Sequence, residues 1–137
     1  MKRSLNSFQD PHADTPRTTK SLGDAAESSA ARHLQSQGLR LLETHYRTPG
    51  RGGGEIDLIM RAPDGTLVFV EVRLRRSQRY GGALASVTAT KRARIIWAAR
   101  HYLRRFAAPP PCRFDVVGLD EHGLVWIQAA FEAHQGL

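Results

Sequence analysis

Two apolar runs, Ile56–Met60 and Leu67–Val72, stand on either side of Ala62-Pro63-Asp64-Gly65-Thr66 and together predict a β-hairpin. Proline suits the second position of a type I turn because its φ is already fixed, and glycine suits the left-handed residue that follows. With Ala62 opposite Thr66, counting down the ladder sets Asp57 opposite Glu71 and Glu55 opposite Arg73. The period of two then puts all four side chains on one face. The second run is almost continuously apolar, the pattern of a strand covered on both sides.

The pattern changes to a helical spacing upstream of the hairpin. From about Ser21 to Gly38 the apolar positions are Leu22, Ala26, Ala30, Ala31 and Leu34, and Gly38 suits a left-handed C-terminal residue. Glu27 has Ala30, Ala31 and Leu34 at i+3, i+4 and i+7, so it belongs to the inward or border stripe. Its plain reading is a border carboxylate that reaches water or pairs with Arg32. Leu39–Tyr46 reads as the first strand, and Gly50–Gly54 (GRGGG) as a flexible connection without the Lys-Ser or Lys-Thr ending of a phosphate-binding loop.

Beyond the hairpin come a polar loop, Ser77–Gly82, and a helix from about Val87 or Thr88 to Phe106, stopped by Pro109–Pro111. Lys91 shares a stripe with Ile95, Ala99 and Tyr102, so it either points toward the sheet or snorkels at the helix start. Trp97, Trp126 and Phe131 read as core or edge packing. Cys112–Leu119 and Leu124–Ala129 read as strands joined by a turn. Asp115 could extend an acidic site, but a carboxylate bonded to backbone or paired with Arg113 is the reading adopted. Residues 1–19 read as a disordered tail, 20–131 as one domain and 132–137 as a flexible C-terminus. The order α, β, β, β, α, β and a final strand predicts a three-layer α/β sandwich around a mixed sheet.

Charge sharpens this picture. Directly opposed residues have Cβ atoms roughly 4.5–5.5 Å apart, a range at which two carboxylates repel. A divalent cation is the simplest compensator, since Mg²⁺ or Mn²⁺ is held by one or two carboxylates together with waters and phosphate oxygens. Of the 137 residues and formal charge of +7, the segment Arg73–Arg105 carries ten Lys and Arg and no acid, leaving −3 for the remainder. Such a concentration is an electrostatic footprint for nucleic acid or another polyanion. Arg75, Arg76, Arg79, Lys91, Arg92 and Arg94 are candidate phosphate contacts, and Tyr80 a candidate for a base or sugar. The single cysteine, Cys112, excludes an internal disulfide, and none of the six histidines has a partner at ligand spacing. With neither a signal peptide nor a membrane span evident, a cytoplasmic protein is expected.

The succession Gly23-x-x-Ala26-Glu27, Gly54-Glu55-Ile56-Asp57-Leu58-Ile59, Val68-Phe69-Val70-Glu71-Val72-Arg73, Lys91-x-x-Arg94 and Arg113-Phe114-Asp115-Val116-Val117 resembles the YraN family. These are uncharacterised bacterial proteins classed as candidate endonucleases, similar to archaeal Holliday junction resolvases and the restriction-endonuclease-like PD-(D/E)XK superfamily. The resemblance implies a restriction-endonuclease-like fold, with Asp57 and Glu71 as metal-binding carboxylates, Glu27 reaching the same cluster and Lys91 as a site residue. It further implies cleavage of DNA phosphodiester bonds, with branched structures as substrates and a homodimer as the resolvase-like assembly. One position departs from the superfamily pattern: Arg73 stands where E-x-K ends in lysine. A lysine can lose its proton and help activate water, whereas a guanidinium stays charged and can only orient or neutralise. Two other readings therefore stand beside the metal-dependent endonuclease: a non-catalytic nucleic-acid-binding module with a degenerate site, and a domain whose basic face meets an acidic protein.

Overall fold

The structure, a computed structural model, describes residues 18–75 and 82–133. Arg76, Arg79 and Tyr80 lie outside the described residues, as do residues 1–17 and 134–137, and with them the expectations placed there.

Helix α1 (Thr19–Ser36) starts where the Thr18 hydroxyl accepts the Ser21 N–H at 3.0 Å, filling one of the vacant donors of a first turn. It ends as expected at a left-handed Gly38, φ +98°, after which the Leu39 N–H returns to the Leu34 carbonyl at 3.1 Å. Its buried residues, Ala26, Ala30, Ala31 and Leu34, are mostly small, which lets the helix lie close on the sheet.

The sheet has five strands in sequence order: β1 (Arg40–Arg47), β2 (Glu55–Arg61), β3 (Leu67–Leu74), β4 (Cys112–Asp120) and β5 (Gly123–Phe131). All neighbours are antiparallel except β3 and β4. A parallel pair needs a crossover, and α2 (Gly82–Ser86) and α3 (Ala89–Leu103) provide it. Helix α1 buries its apolar stripe with Leu58, Met60, Val68 and Val70 on one face. Ile95, Ala98, Ala99 and Tyr102 of α3 pack with Ile59, Leu67 and Phe69 on the other. This is the expected three-layer α/β sandwich around a mixed sheet, and β3 at its centre is buried from Leu67 to Glu71.

Helix α2 is an addition to the expected order; it is a single short turn seated by Ala83, which is buried. Helix α3 begins at Ala89 rather than Val87, because Thr88 is its cap, its hydroxyl accepting the Lys91 N–H at 3.2 Å.

The hairpin follows the expected register from Arg61↔Leu67 to Leu58↔Val70. Its turn is closed by Ala62 N–H to Thr66 O and Gly65 N–H to Ala62 O, both at 2.9 Å, with Gly65 at φ +94°. The regular ladder stops there, and the Asp57 carboxylate takes the Val72 N–H at 2.8 Å. The expected Glu55–Arg73 pairing is therefore corrected. Glu55 lies opposite Arg47 of β1, 3.7 Å away, while Arg73 turns to Glu71 and Ser86.

Trp97 also departs from expectation: it is 58% exposed on α3. Trp126 and Phe131 pack as expected, the first donating from Nε1 to Asp115 at 2.9 Å and the second stacked on Phe114 at 5.0 Å. Among the described residues no helix is long and apolar enough to cross a membrane.

The start of β2 passes directly beneath α3 at Gly54, where a Cβ would meet the Arg94 carbonyl oxygen at 2.0 Å and the Ala98 nitrogen at 2.8 Å. Those are backbone atoms and cannot turn aside. Gly54→Ala is expected to cost about 2–3 kcal/mol, measured by urea unfolding; a cost below about 0.5 kcal/mol would show that the strand and helix can separate freely.

Candidate functional site

Where the hairpin ladder ends, two acids remain at its mouth. Asp57 of β2 is 8% exposed and Glu71 of β3 only 2%. Glu71 Oε2 faces two cations, Arg73 Nη1 at 3.4 Å and Lys91 Nζ at 3.7 Å. Glu71 Oε1 is buried and has no hydrogen-bond partner. Burial first, and then the Asp57 charge, push the Glu71 carboxyl up to about 8, against the opposing pull of Lys91 and Arg73. When Glu71 is ionised, two like charges share a site shielded from water.

Glu27 of α1 adds a third acid. Its pKa is raised from 4.5 to about 7, by burial first and then by Asp57, Asp24 and Glu55, with Lys20 opposing. Asp57 thus acts on both Glu27 and Glu71. The expected pairing of Glu27 with Arg32 is replaced by a contact with His45, whose Nε2 lies 2.9 Å from Glu27 Oε1. That contact is outside hydrogen-bonding geometry, so Oε1 of Glu27 is a second buried carboxylate oxygen that accepts no hydrogen bond, its near neighbour being the His45 imidazole. Arg32 donates instead to Ser29 Oγ at 3.4 Å.

Among the described residues, Asp24, Glu27 and His45 form a group whose ligand atoms all lie within 4.8 Å of one another. A cavity of about 350 Å³, lined in part by these three, opens between α1 and the first two strands. No histidine has a partner at ligand spacing in the sequence, and the fold instead brings His45 to two acids of α1. Its place is hidden from an alternation argument because β1 shifts register between Leu41 and Glu43 and His45 itself has φ +52°. A histidine tolerates that conformation better than most side chains. Ser86 was likewise missed; its hydroxyl accepts the Arg73 Nε–H at 3.0 Å and fixes the guanidinium beside Glu71. Another cleft, about 780 Å³, is lined in part by Leu103, Pro109, Phe114 and Phe131, and none of these acids lines it.

The two orphaned carboxylate oxygens are the test of whether a cation suits these residues. Buried acceptors without donors are uncommon and costly, and hard oxygen ligands of high negative charge match Mg²⁺ or Mn²⁺. The residue types fit such an ion, and Asp57 and Glu71 would hold it from the hairpin. The ligand atoms that lie within 4.8 Å of one another are those of Asp24, Glu27 and His45, so Glu27 would join the hairpin acids only by moving in from α1. Lys91 has resolved its two sequence alternatives by pointing at the sheet.

The remaining candidate residues are dispersed. Arg75 is exposed beyond the end of the hairpin. Arg92 is half-buried, its Nε–H on the Val87 carbonyl at 3.0 Å and its guanidinium 5.3 Å from the centre of the Phe131 ring, so it is held inward rather than offered to a phosphate. Arg94 is exposed and reaches the Gly53 carbonyl at 3.5 Å. Asp115 takes no part in the acidic site. Fully buried, it accepts from Arg113 Nε at 3.0 Å, Trp126 Nε1 at 2.9 Å and Ala129 N–H at 3.0 Å.

A family model described as "Uncharacterised protein family UPF0102" matches residues 26–119, a span holding Glu27, Asp57, Glu71, Arg73 and Lys91. A UPF0102 protein of Albidiferax ferrireducens is 69% identical over 116 residues, which cover 85% of this chain and 91% of that protein. One of Paracidovorax citrulli is 64% identical over 116 residues, covering 85% and 86%. One of Cupriavidus taiwanensis is 51% identical over 133 residues, covering 97% and 95%. Among solved structures, Pyrococcus furiosus SfsA in complex with Ca²⁺ is 14% identical and overlays at a TM-score of 0.27, covering 84% of this chain and 65% of that one. That likeness is too slight to carry an argument.

Proposed function

We propose that this chain, which belongs to the uncharacterised protein family UPF0102, the YraN group its motifs resemble, is a metal-dependent endonuclease of the restriction-endonuclease-like superfamily that hydrolyses phosphodiester bonds in DNA. The observation that carries the reading is Glu71: a 2%-exposed carboxylate with one oxygen unpartnered, set beside Asp57. The charge distribution supports the polymer as substrate, because the segment that follows Glu71 is basic and free of acids up to Arg105.

Asp57, Glu71 and Glu27 would hold Mg²⁺ or Mn²⁺. The ion, when bound, supplies a water of lowered pKa and a Lewis acid for the phosphoryl oxygens. Lys91 and Arg73, both near Glu71 Oε2, are placed to balance negative charge that develops on the phosphoryl group. Arg73, fixed by Ser86, orients and neutralises. Lys91 brings an ammonium to the carboxylate that the superfamily pattern couples to a lysine two residues on, so the departure at Arg73 does not empty the site of lysine. The direct experiment is nicking of circular and branched DNA by purified protein with Mn²⁺, stopped by EDTA. Protein that binds DNA but never nicks it, with affinity falling steeply with salt and indifferent to metal, would instead be the binding module that Arg73 suggests.

Metal binding should also depend on pH in a defined direction. Glu27 and Glu71 are raised from 4.5 to about 7 and about 8, so their protons stabilise the metal-free fold below about pH 4.5, and that contribution is lost as the pH rises through 7 and 8. A cation competes with those same protons. Mn²⁺ is therefore expected to raise Tm little near pH 5.5 and by several degrees near pH 8.5, compared with EDTA. Glu71→Gln should flatten the difference, and a Tm increment independent of pH would count against these ligands.

A further inference from the structure

We infer that Trp97 is a stacking subsite for an unpaired base on the outer face of α3. The ligand class rests on the DNA reading above, but the observations are separate from the acids. At 58%, Trp97 is the most exposed large apolar side chain among the described residues. It stands on a helix with no acidic residue: Arg94 and Arg100 lie one turn either side of it, and Arg104 one turn further on. Arg94 is joined to the Gly53 carbonyl at 3.5 Å, and Gly54 runs against the Arg94–Ala98 backbone. Gly54 is about 10 Å of extended chain from Asp57.

An aromatic face among cations is the chemistry that grips single-stranded nucleic acid, bases on the ring and phosphates on the guanidinium groups. In an intact duplex the bases are already stacked on one another, so the indole selects frayed, flapped or single-stranded DNA. A second copy of this chain is the less suited occupant, since a two-fold contact through this face would set one arginine-rich helix against its own copy.

The test measures binding of the full chain, in EDTA and at low salt, to a labelled single strand, a flap and a blunt duplex. Trp97→Ala is expected to lose about tenfold in affinity for the single strand and the flap, a loss typical of one base–aromatic stack, and less than about twofold for the duplex; Trp97→Phe should keep most of it. Equal losses on all three, no loss on any, or no binding at all would overturn the subsite. Sedimentation showing self-association that Trp97→Ala abolishes would overturn it in favour of a second copy. Because no metal is present, the two readings fail separately: discrimination without nicking leaves the subsite standing, and nicking without discrimination leaves only the nuclease.

Discussion

Asp57→Asn is expected to abolish the Mn²⁺-dependent nicking proposed above and to leave the protein folded. Asp57 has two tasks that this substitution separates. One carboxylate oxygen accepts the Val72 N–H at 2.8 Å where the hairpin ladder stops, and an asparagine oxygen can accept the same bond. The negative charge cannot be replaced, and with it goes half of the carboxylate pair that would hold the ion. Losing several kcal/mol of charge stabilisation corresponds to a fall on the order of a thousandfold in rate. The check is a nicking time course for wild type and variant purified side by side, with thermal melts showing that both are folded. Equal cleavage by the two would assign the activity to a contaminant and end the nuclease reading.

Asp115→Ala is expected to cost about 3–5 kcal/mol of stability. Asp115 is fully buried, and its partners are the Arg113 guanidinium, the Trp126 indole and the Ala129 N–H. They meet where β4 and β5 slip register between Phe114 and Val116, with Ala129 left-handed at φ +50°. The carboxylate supplies the acceptor that the irregular ladder withholds from Ala129. Truncation leaves a largely buried cation, an indole N–H and a backbone N–H without it. Urea unfolding should show the loss to be the same with Mn²⁺ as with EDTA, because Asp115 is not part of the acidic pocket. A loss confined to the metal-bound protein would return Asp115 to the site.

The hairpin was legible because its determinants are local. Proline and glycine fix the turn, the turn fixes the register, and the register brings Asp57 toward Glu71. What escaped depends on side chains competing with backbone. Nothing in the alternation says that Asp57 will take the Val72 N–H, and so nothing predicts that Glu55 is released to Arg47 and Arg73 to Ser86. The same holds for His45, whose direction follows from a bulge and a left-handed residue that leave the residue types unchanged. Lys91 was ambiguous because a first-turn lysine can extend either way; the contact with Glu71 decides it. The exposure of Trp97 was legible too, since the stripe of Lys91, Ile95, Ala99 and Tyr102 leaves it on the outer side of the helix.

The parallel pairing of β3 with β4 has a consequence for how the molecule assembles. The acids of β2 and β3 belong to a hairpin closed by a tight turn, a structure that forms quickly because little chain must be ordered. Lys91 lies in the crossover and reaches its place only when that long excursion has returned to the sheet, a slower event. The nascent chain thus gathers Asp57, Glu71 and Arg73 first and gains its second cation, Lys91, last.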